Sequence, residues 1–99
     1  MASFVVITAT GSGWDTGRGI REQHRWDEHA QFMDRLTDEG FVVLGGPIDN
    51  GVDDHTALLV VEAEAAETVR SRFAADPWAA TDTLRIESVW PWTLWLDGR

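Results

Sequence analysis

Apolar residues recur along this chain in two periods, and the changes between them mark its elements. Residues 4–10, Phe-Val-Val-Ile-Thr-Ala-Thr, are β-branched and apolar and run into Gly11-Ser12-Gly13, the composition and punctuation of a strand. A loop over 11–22 follows, with four glycines, Trp14, Arg18 and Arg21, which is more chemistry than a plain connection requires. The spacing then predicts a helix over 23–39. At about 100° per residue from Trp26, His29, Met33 and Leu36 fall near 300°, 340° and 280°, with Phe32 near 240°. Gly40 stands where a left-handed residue closes a helix.

Residues 41–44 read as a second strand ending at Gly45-Gly46-Pro47, a signal for a turn, bulge or close approach. After a polar turn over 49–54, residues 56–62 read as a third strand, the hairpin partner of the second. A second helix is expected over about 64–75 on the stripe Ala66, Val69 and Phe73. Pro77 pushes the residue before it out of helical geometry, so this helix stops near Asp76. Residues 84–90 form a fourth strand, with Leu84, Ile86, Ser88 and Trp90 on one face and Arg85 and Glu87 on the other. Pro91 limits pairing there, which makes 92–96 a separate edge or tail strand.

The order β-α-β-β-α-β is the ferredoxin-like α+β pattern: a four-stranded antiparallel sheet with two helices on one face. A sheet wet on its other face should alternate apolar and polar residues. Here Val5/Val6, Val42/Val43 and Leu58/Leu59 are apolar on both sides. A second dry surface is therefore expected, and a homodimer packing sheet against sheet supplies it, with the tail tryptophans in the seam. Ninety-nine residues suit a single domain (1–99) that buries only a moderate share of its surface alone, which also favours a second copy.

Composition narrows the function classes. Seventeen acidic residues against eight basic ones give a net charge of −9, which repels nucleic acid. No stretch is long and apolar enough for a membrane span, and the N-terminus carries no secretion signal, so a cytoplasmic location is expected. Without cysteine there is no thiolate nucleophile or thiolate metal site. His24, near 160° on the wheel and off the apolar stripe, and His55, beside Asp53 and Asp54, read as solvated, and no three ligands converge, so no metal is expected. The glycine clusters lack the lysine and helix of a phosphate loop, so no nucleotide cofactor is expected either. Six tryptophans are more than so small a core needs unless some line an interface or a ligand cavity.

The residue that stands out is His29, at the centre of the apolar stripe. A buried imidazole needs partners for both nitrogens and titrates near neutrality, so it is either a satisfied core group or a catalytic base. On the second wheel Asp76 falls near 280°, on the core side. Either its carboxylate binds local backbone, or it meets His29 across two neighbouring helices and orients the imidazole for acid–base work. Arg18 and Arg21, with Trp14, either close over an anionic aromatic ligand or belong to a solvated loop.

These residues carry a resemblance. His29 in the first helix, the run 38–47 (Asp-Glu-Gly-Phe-Val-Val-Leu-Gly-Gly-Pro), the Asp76-Pro77-Trp78 corner and the closing 86–92 (Ile-Glu-Ser-Val-Trp-Pro-Trp) resemble the YCII-related domain family of the dimeric α+β barrel group. The likeness spans nearly the whole chain. It implies a ferredoxin-like protomer, sheet-to-sheet dimers or higher oligomers, and a pocket in which His29 and Asp76 form the active-site pair. Dehydrochlorination of a chlorinated hydroxyquinol is an activity known within the group, and muconolactone isomerase is a more distant similarity. Members commonly carry an arginine three residues before the histidine, where this chain has Trp26. The function this suggests is lyase or isomerase chemistry on a cyclic or aromatic metabolite, the alternative being a non-catalytic binding or dimerisation module. The candidate substrate-binding residues are Trp14, Arg18, Trp26, Gly46, Pro47 and Trp78.

Overall fold

The computed structural model describes residues 1–49 and 56–99; most of the expected polar turn, His55 included, lies outside the described residues. Four strands, β1 (Ala2–Thr10), β2 (Val42–Pro47), β3 (Ala57–Ala63) and β4 (Leu84–Trp92), form one antiparallel sheet in the order β2-β3-β1-β4. Helices α1 (Trp26–Asp38) and α2 (Ala66–Phe73) cover one face, and a short helix α3 (Pro77–Ala80) leads into β4. This is the ferredoxin-like arrangement. Its core joins Phe4 and Val6 of β1, Leu59 and Val61 of β3, Phe32 and Leu36 of α1, and Val69 and Phe73 of α2.

Two bulges change which residues face this core. Between β1 and β4 the register passes from Ile7↔Ser88 to Thr8↔Ile86, so Glu87 is the extra residue. Directly paired residues share a face, which puts Leu84, Ile86 and Val89 beneath the helices and Ser88, Trp90 and Trp92 on the opposite face. The expected alternation through 84–90 therefore breaks at Glu87. Val43 is the corresponding extra residue in β2, between Val42↔Val61 and Leu44↔Val60.

Pro91 does not end β4. Because β4 is an edge strand, a residue without an N–H costs no ladder bond on its outer side, and the strand runs through Pro91, opposite Phe4, to Trp92. No separate strand follows over 92–96; the tail beyond Trp92 is exposed. The open face carries Val5, Ile7, Leu58 and Val60 at its centre and Leu44, Trp90 and Trp92 toward its edges, the last three 53%, 62% and 42% exposed.

Helix α1 starts three residues later than its periodicity suggests. Arg25 adopts the left-handed conformation (φ 63°) immediately before it, and Gln23 is committed elsewhere. Buried at 4% exposure, Gln23 accepts from the Asp15 N–H (2.9 Å) and donates to the carbonyls of Asp15 (2.8 Å) and Arg18 (3.0 Å). One side chain thereby organises the long loop from within. At its other end α1 closes as expected: Gly40 (φ 81°) donates to Thr37 O and Phe41 to Leu36 O, both 3.0 Å. The Gly11-Ser12-Gly13 run serves close approach, since a Cβ on Gly11 would lie 2.2 Å from the Asp82 carbonyl and one on Gly13 2.1 Å from that of Thr81.

Candidate functional site

Helix α2 ends at Phe73, before Asp76, so the carboxylate reaches inward by another route than a continued helix. Asp76 has extended backbone (φ −64°, ψ 131°) and is the N-cap of α3, with Pro77 in the first helical position. Its Oδ1 accepts the Trp78 N–H at 2.9 Å. The same carboxylate receives His29 Nδ1 at 2.7 Å (Oδ2) and 3.0 Å (Oδ1). Both residues are 7% exposed. Since a carboxylate only accepts, the ring is assigned the Nδ1–H tautomer, which leaves the lone pair on Nε2. Among the described residues nothing hydrogen-bonds to Nε2.

Trp78 fixes the plane of this imidazole. The two rings stack at 3.9 Å between centroids and 6° between planes. Trp78 is fully buried, and its indole N–H donates to the His24 carbonyl at 2.7 Å, tying α3 to the backbone just ahead of α1. Trp26 packs at 5.8 Å from Trp78 and 5.9 Å from His29, and Trp14 meets Trp78 edge-on at 6.1 Å. Three tryptophans thus form the packing around the histidine. The carboxylate sets the ring's tautomer and the stack sets its tilt.

A cavity of about 310 Å³ opens beside the pair. Strands contribute Thr8, Leu59 and Ile86, α1 contributes His29 and Met33, α2 contributes Arg70 and Phe73, and the α3 corner contributes Asp76 and Trp78. Ile20, in the short 3-10 turn Ile20–Glu22, is the long loop's contribution.

Of the expected binding residues, Trp78 lines this cavity, whereas Trp14, Arg18, Trp26, Gly46 and Pro47 do not. Trp14 and Trp26 are engaged in the aromatic packing. Arg18 is exposed and pairs with Asp15 at 3.3 Å, and Arg21 is exposed. Gly46 and Pro47 lie exposed on the edge strand, opposite Leu58 and Ala57. Sequence reasoning missed Thr8, Arg70 and Arg85 among the lining residues. The available signals were phase and spacing: Thr8 continues the inward series Phe4, Val6, and Arg70 shares a helical face with Phe73 and Ala74. No group of three or more His, Cys, Asp or Glu among the described residues is placed to hold a metal ion.

The sequence matches no protein-family profile and no curated protein. Among solved structures, it is similar to 5-chloro-2-hydroxyhydroquinone dehydrochlorinase from Burkholderia phenoliruptrix AC1100, in complex with 2,5-dihydroxybenzoquinone. The two are 21% identical, with a TM-score of 0.51 and 92% of each chain covered. That likeness shows a common α+β fold with a four-stranded antiparallel sheet.

Proposed function

We propose that this protein is a small-molecule enzyme of the lyase or isomerase type, in which His29 moves a proton on a cyclic or aromatic metabolite while Asp76 holds the imidazole. The observation that carries this reading is the His29–Asp76 pair, buried on its carboxylate side and facing a cavity of about 310 Å³. A volume of that size suits a small ring, and walls of Met33, Leu59, Phe73 and Ile86 suit its apolar faces. Nε2 accepts a proton from an O–H or C–H of the substrate. The released electron pair either expels a leaving group, as in a lyase, or shifts the double bond before the proton returns elsewhere, as in an isomerase. Asp76 stabilises the imidazolium formed in between. Side chains of the chain itself suffice for this scheme.

The dehydrochlorinase of like fold acts, by its name, on a chlorinated hydroxyhydroquinone, which makes hydroxylated and chlorinated six-membered rings the first substrates to test. On the motif run 38–47 and the Asp76 corner, we also read the chain as a YCII-related protein. The test of the chemistry is His29→Gln, assayed by chloride release and ultraviolet spectra over such a panel. Turnover should fall by about 10²- to 10⁴-fold with the near-ultraviolet circular dichroism unchanged. Full turnover by the variant would overturn the assignment. The alternative of a binding module draws on Asp76 also serving as the α3 cap, a structural duty it would keep in a non-catalytic protein.

The same reading includes a homodimer. Leu44, Trp90 and Trp92 leave large apolar surface on the open face, and a second copy placed sheet to sheet would cover it. Sedimentation at micromolar concentration should give a dimer that Trp90→Glu converts to monomer. A wild-type monomer at that concentration rules the dimer out.

A further inference from the structure

The arginines of this chain differ in what they are committed to. Arg18, Arg25, Arg72, Arg85 and Arg99 each pair with a carboxylate, and Arg35 lies over the Phe32 ring. Arg70 does neither. Arg70 is an exposed residue of α2, and among the described residues it has no ion-pair partner. Its place follows from helical spacing: Phe73 and Ala74, three and four residues on, line the same cavity, which puts Arg70 on the helix face that forms this wall. The wall's other cation, Arg85, is held two-pronged by Asp82. The cavity's carboxylates are likewise engaged, Asp76 by His29 and the Trp78 N–H, Asp82 by Arg85 and Ser12.

A second donor is unspent. Thr8, 3% exposed, accepts the Ala57 N–H on its Oγ1 at 3.2 Å, and its own hydroxyl proton has no acceptor among the described residues. A cavity with apolar walls, an unspent hydroxyl proton on its sheet side and an arginine without an ion-pair partner in its lining is complementary to a ring carrying oxygen acceptors, one of them ionised.

We propose that Arg70 selects the ligand: it pairs with an anionic oxygen group on the ring that occupies the cavity beside His29, while Thr8 donates to a second oxygen. This rests on the cavity being the ligand site proposed above, and the experiment separates the two. Benzoate and its neutral isostere benzamide are titrated into the full chain and into Arg70→Gln and Arg70→Lys, with binding read from the His29 imidazole resonances by NMR. Benzoate should saturate at a concentration about five- to tenfold lower than benzamide in the wild type. Arg70→Gln should bring the two together, Arg70→Lys should restore part of the difference, and added salt should weaken benzoate alone. Equal affinities in the wild type, or a benzoate preference that survives Arg70→Gln, overturns the role of Arg70 while leaving the cavity reading in place. If neither probe moves the His29 resonances, both fall.

Discussion

Two aspartates bracket the short helix α3, and each binds a nitrogenous side chain from another part of the chain. Asp76, before the helix, holds His29 of α1; Asp82, after it, holds Arg85 of β4 and the hydroxyl and N–H of Ser12 in the long loop. The contacts are of similar length, 2.7 Å for the first pair and 2.5 Å for the second. What separates them is burial and the partner's chemistry. The Asp76 side chain is 8% exposed and that of Asp82 is 38% exposed. An imidazole can give up and recover its proton near neutral pH, whereas a guanidinium keeps it. In the function proposed above, the carboxylate that serves acid–base chemistry is the one kept from water and bound to an imidazole, which is Asp76. Asp82 is a clasp between β4 and the loop.

The largest effect in this comparison is expected at Asp76. Asp76→Ala removes the α3 cap and leaves the buried Nδ1–H without an acceptor. By the usual worth of a cap and of an unsatisfied buried donor, that costs roughly 2–4 kcal/mol, read as a lower urea midpoint. Asp76→Asn is the sharper variant. The amide oxygen can still accept from the Trp78 N–H, which keeps most of the cap, but its NH₂ then faces Nδ1 and forces the proton to Nε2. Stability should fall by only about 1 kcal/mol, while activity falls about as far as in His29→Gln. An Asn variant with full turnover would place Asp76 in the same structural category as Asp82.

How far such a site can be read from sequence depends on which signals carry a period. His29 stands out because a thirteen-residue helix repeats its apolar stripe often enough to expose a polar intruder, and Gly40 because only a left-handed residue belongs there. Neither bulge is legible. Val43 and Glu87 are single extra residues within otherwise regular strands, and one such residue reverses the facing of everything beyond it. Four residues of α3 are too few to show a period, although Asp followed by Pro is the chemistry of a helix start. Gln23 carries no signal in the sequence because its value lies in backbone carbonyls that the fold brings to it. Arg70 shares a helical face with Phe73, but that spacing alone names no ligand, and it is the cavity it lines that gives it a meaning.

The smallest effect, and the one that completes the contrast, belongs to Asp82. The Arg85 guanidinium, then the Ser12 hydroxyl and N–H, hold its carboxyl well below the usual carboxylate range. A group whose folded-state pKa is depressed stabilises the fold while the pH is above its unfolded value, near 4, and loses that contribution as the pH falls through the folded value. At neutral pH, Asp82→Asn should therefore lower the urea midpoint, by less than Asp76→Asn does because water screens the exposed pair. The gap between wild type and Asp82→Asn should then narrow as the pH drops below about 4, and narrow again at neutral pH in high salt. Turnover should fall far less than in Asp76→Asn throughout the range in which both proteins are folded, since Asp82 does not touch His29. A gap that stays constant from neutral to strongly acid pH would mean that the Asp82 contacts stabilise nothing by charge. A loss of turnover at full folding as deep as that of Asp76→Asn would mean that the exposed clasp serves the chemistry equally, and the division between the two aspartates would fail.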